Sequence, residues 1–159
     1  MFSNFGRLFF SLFTGIFSGL IALLALSVLQ SLFIAFSAEE LISKFFINEV
    51  GEEIIKLLSI IFILNLLITN QKDRVRGLFC AVSVGVGFGI FELILIILSN
   101  KTFSISSILM LIGIHSLTSL FLGMAVVSRK FEKSWFFLAF FVIIATLIHI
   151  VYNLLALNF

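Results

Sequence analysis

The chain has 159 residues, 62% of them hydrophobic and only 11% charged, with a formal net charge of +2. Soluble domains carry about 25% charged residues, so this composition excludes a soluble domain or a nucleic-acid-binding module and makes the lipid bilayer the first expected partner. Cys80 is the single cysteine, which excludes an intrachain disulfide, and proline is absent, so helix bends must come from glycine or packing.

A helix needs roughly 20 apolar residues to cross a bilayer, and five segments reach that length. The expected fold is therefore all-α, a polytopic membrane bundle of about five transmembrane helices forming one domain over residues 1–159. The opening MFSNFGR precedes an apolar run too long for a signal-peptide core and has no A-x-A site, so it is read as the start of a retained first span. That span runs from about Leu8 to Phe36, with Gly15 and Gly19 as a GxxxG pair suited to a close helix contact. Ser37 to Gly51 connects it to the next, and Phe45, Phe46 and Ile47 among charged residues suggest a short helix lying in the interface. The second span is expected from about Glu53 to Thr69 and the third from Leu78 to Leu98, with the solvated loop NQKDRVRG between them. The fourth runs from Ile108 to Val127 and the fifth from Trp135 to Leu157.

Lysine and arginine set the orientation. With five spans, Arg7, Lys72, Arg74, Arg76, Arg129, Lys130 and Lys133 share one side, against Lys44 and Lys101 on the other. This predicts a cytoplasmic N-terminus and an external C-terminus, in a membrane expected to be the bacterial cytoplasmic one. Helical rise then converts position into depth. Glu52 and Glu53 fall near the outer surface, Glu92 roughly 9 Å deep, His115 roughly 10 Å, His149 roughly 12 Å and Asn153 roughly 6 Å. Four helices thus place their acidic and imidazole groups in one layer.

Spacing within helices agrees. Glu52 and Glu53 share a face with Lys56 at i,i+4 and i,i+3, and His149 shares one with Asn153 at i,i+4. Ala81, Gly85, Gly89 and Glu92 form a stripe of small residues that lets a neighbour approach and keeps Glu92 inside the bundle. Each group has a plain structural reading: carboxylates at a helix N-terminus, a snorkelling lysine, packing histidines, Tyr152 as an interfacial anchor. Their shared depth favours a site. Intramembrane acids are usually functional or paired, because a charge at a helix centre costs roughly 2.5–3.5 kcal/mol on insertion scales.

The chemistry follows by elimination. H-E-x-x-H is absent, Asp73 is the only aspartate and lies in a loop, no G-x-S-x-G occurs, and Cys80 sits far in depth from both histidines. GVGFG at Gly85–Gly89 does not complete a nucleotide-binding G-x-G-x-x-G. What remains is a glutamate acting on water, with His and Asn donors for an oxyanion. Neither a cofactor nor a metal is expected. A zinc site of two histidines and the glutamates is the competing enzyme reading, although no ligand spacing supports it. A small proton-coupled transporter and a non-catalytic immunity or chaperone-like protein are the competing classes.

GEEIIK, GVGFGIFE, IHSLTSLFLG and HIVYN, in that order, resemble the motif blocks of the PrsW-type intramembrane proteases. That superfamily also includes the CAAX prenyl proteases and the YhfC-like proteins. The resemblance spans roughly Gly51 to Asn153 and leaves out the first span. It departs from the family pattern at Leu93, where asparagine is usual, and at Gly123, where the glycine after His115 comes late. It implies an intramembrane endopeptidase acting on membrane proteins or peptides. Glu52 and Glu53 would be catalytic acids, His149 and Asn153 oxyanion donors, and His115 and Glu92 members of the same pocket. Lys56 and Phe88 would support them.

Overall fold

The structure is a computed structural model and describes residues 3–34, 40–68, 70–99, 104–132 and 134–156. It is all helical: α1 (Asn4–Ile34), α2 (Glu40–Leu67), α3 (Arg74–Leu98), α4 (Ile105–Glu132) and α5 (Trp135–Ala156), with a single 3-10 turn at Gln71–Asp73 before α3. Lys101 and Lys133, used above in reading the orientation, lie outside the described residues.

Local chemistry sets the helix ends. Serine caps three N-termini: Ser3 Oγ accepts from the Gly6 amide, Ser104 Oγ from the Ser107 amide and Ser134 Oγ from the Phe137 amide. Each such cap is worth about 1 kcal/mol. At the C-terminus of α2, Lys130 Nζ donates to the Leu64 and Ile68 carbonyls at 3.0 and 2.7 Å, where a cation satisfies orphan carbonyls and opposes the negative helix end.

The short interfacial helix expected around Phe45–Ile47 does not stand apart. It is the first part of α2, which runs unbroken for 28 residues from Glu40. Nothing between Lys44 and Glu53 breaks a helix: the one glycine, Gly51, sits against Leu26 of α1, where the lack of a side chain is useful. Consequently Glu52 and Glu53 lie inside a long helix, not at its start.

Four helices, α1, α3, α4 and α5, contain stretches long and apolar enough to cross a membrane. They form an arc in which each packs against the next, and α2 lies across it in contact with all four. Residue pairing gives the directions. Gly15 of α1 meets Val84 and Gly19 meets Phe91, so α1 and α3 are parallel; Gly85 meets Ser119 and Gly123 meets Ala81, so α4 runs antiparallel to α3. The two small-residue motifs are the close contacts themselves. A Cβ on Gly15 would strike the Val84 carbonyl, and one on Gly85 the His115 carbonyl.

The core divides along α2. Towards its C-terminal end, Ile60, Ile63, Leu64, Leu67 and Ile68 pack on Cys80, Ala81 and Val84 of α3, Leu122 and Val126 of α4 and Ala145 of α5. About one to three turns earlier the same helix buries Lys56, Glu53 and Glu49 against His115, Thr118, Ser119 and His149.

Candidate active site

Lys56 is the centre of the polar half and is fully buried. An ammonium has three N–H donors and no acceptor, and all three are used. Lys56 Nζ donates to Glu53 Oε1 in a short ion pair, to His115 Nδ1 at 3.1 Å and to Thr118 Oγ1 at 3.3 Å. Its charge also lies 4.9 Å from the centre of the Phe88 ring, a cation–π contact.

These bonds dictate the histidine tautomers. Because His115 Nδ1 accepts from Lys56, its proton sits on Nε2 and is donated to Glu92 Oε2 at 2.5 Å. His149 has the opposite arrangement: its Nδ1–H donates to Glu53 Oε1 at 2.7 Å. Glu53 therefore receives both Lys56 and His149 on one oxygen and is held on two sides. The two imidazoles stand edge to face with centroids 5.1 Å apart.

The His149 Nε2 edge faces Glu49 Oε2 at 3.3 Å and Glu52 Oε2 at 3.8 Å. Asn153 hydrogen-bonds the Glu49 carboxylate. Glu52 and Glu92 both line a crevice of about 110 Å³ between α1, α2 and α3, walled by Gly19, Ala22, Phe88, Phe91 and Leu95 among others. The structure thus brings together Glu52, Glu53, Lys56, Phe88, Glu92, His115, His149 and Asn153. One difference from the sequence reading is that the crevice is walled in part by α1, not by the later helices alone.

Three polar residues of the cluster were not singled out from the sequence. Thr118 accepts from Lys56, and the buried Ser119 lies one residue on, beside Gly85. Glu49 is 5% exposed and lies one turn before Glu52 and Glu53 on the same face. The signal for Glu49 was present, since the 49, 52/53, 56 stripe simply continues backwards by one turn. It was hidden by the assumption that the helix began at Glu53.

Charge balance bears on what the site can hold. Four carboxylates, Glu49, Glu52, Glu53 and Glu92, face one lysine and two histidines. With His149 protonated on Nδ1 alone, its Nε2 lone pair, Glu49 Oε2 and Glu52 Oε2 are three acceptors converging with no hydrogen among them. Glu49 Oε2 is buried without a hydrogen-bond partner. A second proton on His149 or a cation resolves this conflict. The donor set suits a divalent ion: ligand atoms of Glu49, Glu52 and His149 all lie within 4.8 Å of one another, and carboxylate oxygen and imidazole nitrogen are both zinc ligands. Glu53 on His149 Nδ1 is the carboxylate that orients a metal-binding imidazole from behind. The residues therefore fit a metal, through an i,i+3 pair on one helix that the sequence reading had not considered.

A family model described as PrsW family intramembrane metalloprotease matches residues 4–159. The match takes in α1, which the four motif blocks alone had left outside. No curated protein and no solved structure matches the chain.

Proposed function

Because the chain belongs to the PrsW family of intramembrane metalloproteases, and so is an integral membrane protein with a protease role, we propose that it hydrolyses peptide bonds of membrane-associated substrates by carboxylate-activated water. The observation that carries this reading is the division of labour between neighbouring glutamates. Glu53 is engaged by Lys56 and His149, whereas Glu52 borders the crevice and keeps 24% of its side chain exposed.

Glu52 is the general base. Its carboxylate takes a proton from water in the crevice, and the resulting hydroxide adds to the scissile carbonyl carbon. With a second proton on Nε2, His149 becomes a donor on the crevice side; it and Asn153 stabilise the oxyanion, and protonated Glu52 returns its proton to the leaving amine as the C–N bond breaks. Glu53 fixes the His149 ring, Lys56 neutralises Glu53, and His115 positions Glu92 at the crevice. A substrate helix must unwind locally first, since a spanning helix buries its amide hydrogen bonds. The Lys and Arg distribution supports a cytoplasmic N-terminus, which places the crevice in the outer leaflet.

The second reading rests on the converging acceptors. Glu49, Glu52 and His149 Nε2 would hold a divalent ion, which when bound would supply Lewis acidity towards the carbonyl. The test is cleavage of a membrane-embedded substrate by purified protein, with and without a strong chelator. Chelator-resistant activity that disappears in Glu52→Gln supports the carboxylate mechanism. Activity lost to the chelator and restored by zinc, together with loss of zinc binding in Glu49→Gln, replaces it with the metal one. Full activity in both Glu52→Gln and Glu53→Gln ends both.

A further inference from the structure

At the opposite end of the bundle, α1 and α3 begin side by side. Because these helices are parallel, their positive dipole ends point the same way at one level. Ser3 takes the Gly6 and Arg7 amides through Oγ and its carbonyl, so the amides of Asn4 and Phe5 have no partner within the helix. Beside them is a hollow of about 190 Å³ lined by Asn4, Arg7, Leu8, Arg76, Phe79 and Cys80. Its volume equals several waters at about 30 Å³ each in the liquid.

Arg7 is the unusual residue here. It is 8% exposed, and its Nη1 is buried with no hydrogen-bond partner. An unsatisfied buried donor is costly, more so when it carries charge. Asp73 is bonded to Arg76 Nη1 at 2.8 Å. Arg76 itself is 57% exposed at the mouth. Two guanidinium groups and the N-terminus of α1 therefore border this space, with the N-terminus of α3 alongside. Its outer walls are apolar and open, with Leu8 37% and Phe79 60% exposed.

We propose that this hollow binds a phosphate group, either the headgroup phosphate of an anionic phospholipid or a soluble phosphate. Arg7 Nη1 donates to the phosphate oxygens from below, Arg76 closes over them from the rim, and the α1 and α3 N-termini add their dipoles. For a lipid, the acyl chains descend along Leu8 and Phe79. The site is separate from the Lys56 cluster and does not depend on the protease reading.

The experiment uses the full chain in detergent. Retention of phosphatidylglycerol is compared with that of phosphatidylcholine by native mass spectrometry, and inorganic phosphate is titrated against thermal unfolding at constant ionic strength. Preferential retention of phosphatidylglycerol identifies a lipid headgroup. Stabilisation by phosphate without lipid preference identifies a soluble phosphate. In either case Arg7→Gln should weaken binding about tenfold or more, as loss of a charged hydrogen bond does. Arg76→Gln should weaken it by a smaller factor, and being exposed it decides the question if Arg7→Gln does not fold. Arg129→Gln, on the same side of the bundle but stacked 3.8 Å from the Trp135 ring, removes a charge without touching the hollow and should change nothing. The proposal fails if folded Arg7→Gln and Arg76→Gln bind as the wild type does, or if Arg129→Gln weakens binding as much as Arg7→Gln.

Discussion

Two successive stretches of α2 bury one face each and are held by opposite means. From Ile60 to Ile68 the helix meets its neighbours with aliphatic side chains; from Glu49 to Lys56 it meets them with ions. Within a bilayer the aliphatic half gains little from leaving lipid, which is as apolar as leucine, so its contribution is shape and dispersion. Such packing tolerates small changes. The polar half has no such latitude, because each ion was costly to bury and is held by named partners. One helix thus carries a tolerant half for assembly and an intolerant half for chemistry.

The largest effect expected from breaking this contrast is on catalysis. Glu52→Gln keeps the shape and removes the base, so cleavage of a membrane-embedded substrate should fall about 10²–10⁴-fold with thermal unfolding unchanged. His149→Ala should cost about 10²–10³-fold in the same assay, the usual value of one oxyanion donor.

The next largest is on stability. Lys56→Met strands the buried Glu53 carboxylate and should destabilise the protein by about 3–5 kcal/mol, read by thermal unfolding in detergent. Ile63→Val, at the same burial in the aliphatic half, should cost about 0.5–1.5 kcal/mol. Comparable losses in the two variants would show that the halves do not differ. Adding Glu53→Gln to Lys56→Met should recover part of the stability, because the stranded charge is gone.

Glu49→Gln sharpens the comparison in the polar half. It should abolish tight zinc or cobalt binding, measured by calorimetry, if the three converging acceptors hold a metal. It should reduce cleavage only modestly if Glu49 merely holds Asn153 beside His149. The smallest effect belongs to Asp73→Asn, remote from the cluster and paired with the exposed Arg76; its cleavage rate should equal that of the wild type.

How much was legible beforehand differs along the chain for a physical reason. Bilayer thickness imposes a length on every apolar segment, so the all-helical bundle could be read from local sequence. Helical periodicity did the same for the Glu52, Glu53 and Lys56 face and for the small-residue stripe at Gly85 and Gly89. One local error arose where charge interrupts apolarity. Ser37 to Gly51 read as a connection with an interfacial piece at Phe45–Ile47, yet α2 runs unbroken from Glu40 because the cluster supplies partners for its ions.

The sequence by itself determined the helical class, the family resemblance and the set of polar groups that would have to be accommodated in the membrane. Only the tertiary structure decided who meets whom. Helical spacing puts both Glu52 and Glu53 within reach of Lys56, and no spacing rule selects Glu53 between them or adds His115 and Thr118. The same holds for His149, whose one nitrogen faces Glu53 and the other Glu49 and Glu52. Those choices depend on contacts between helices far apart in the chain, set by the close approach of α4 to α3 at Gly85, which local sequence does not encode.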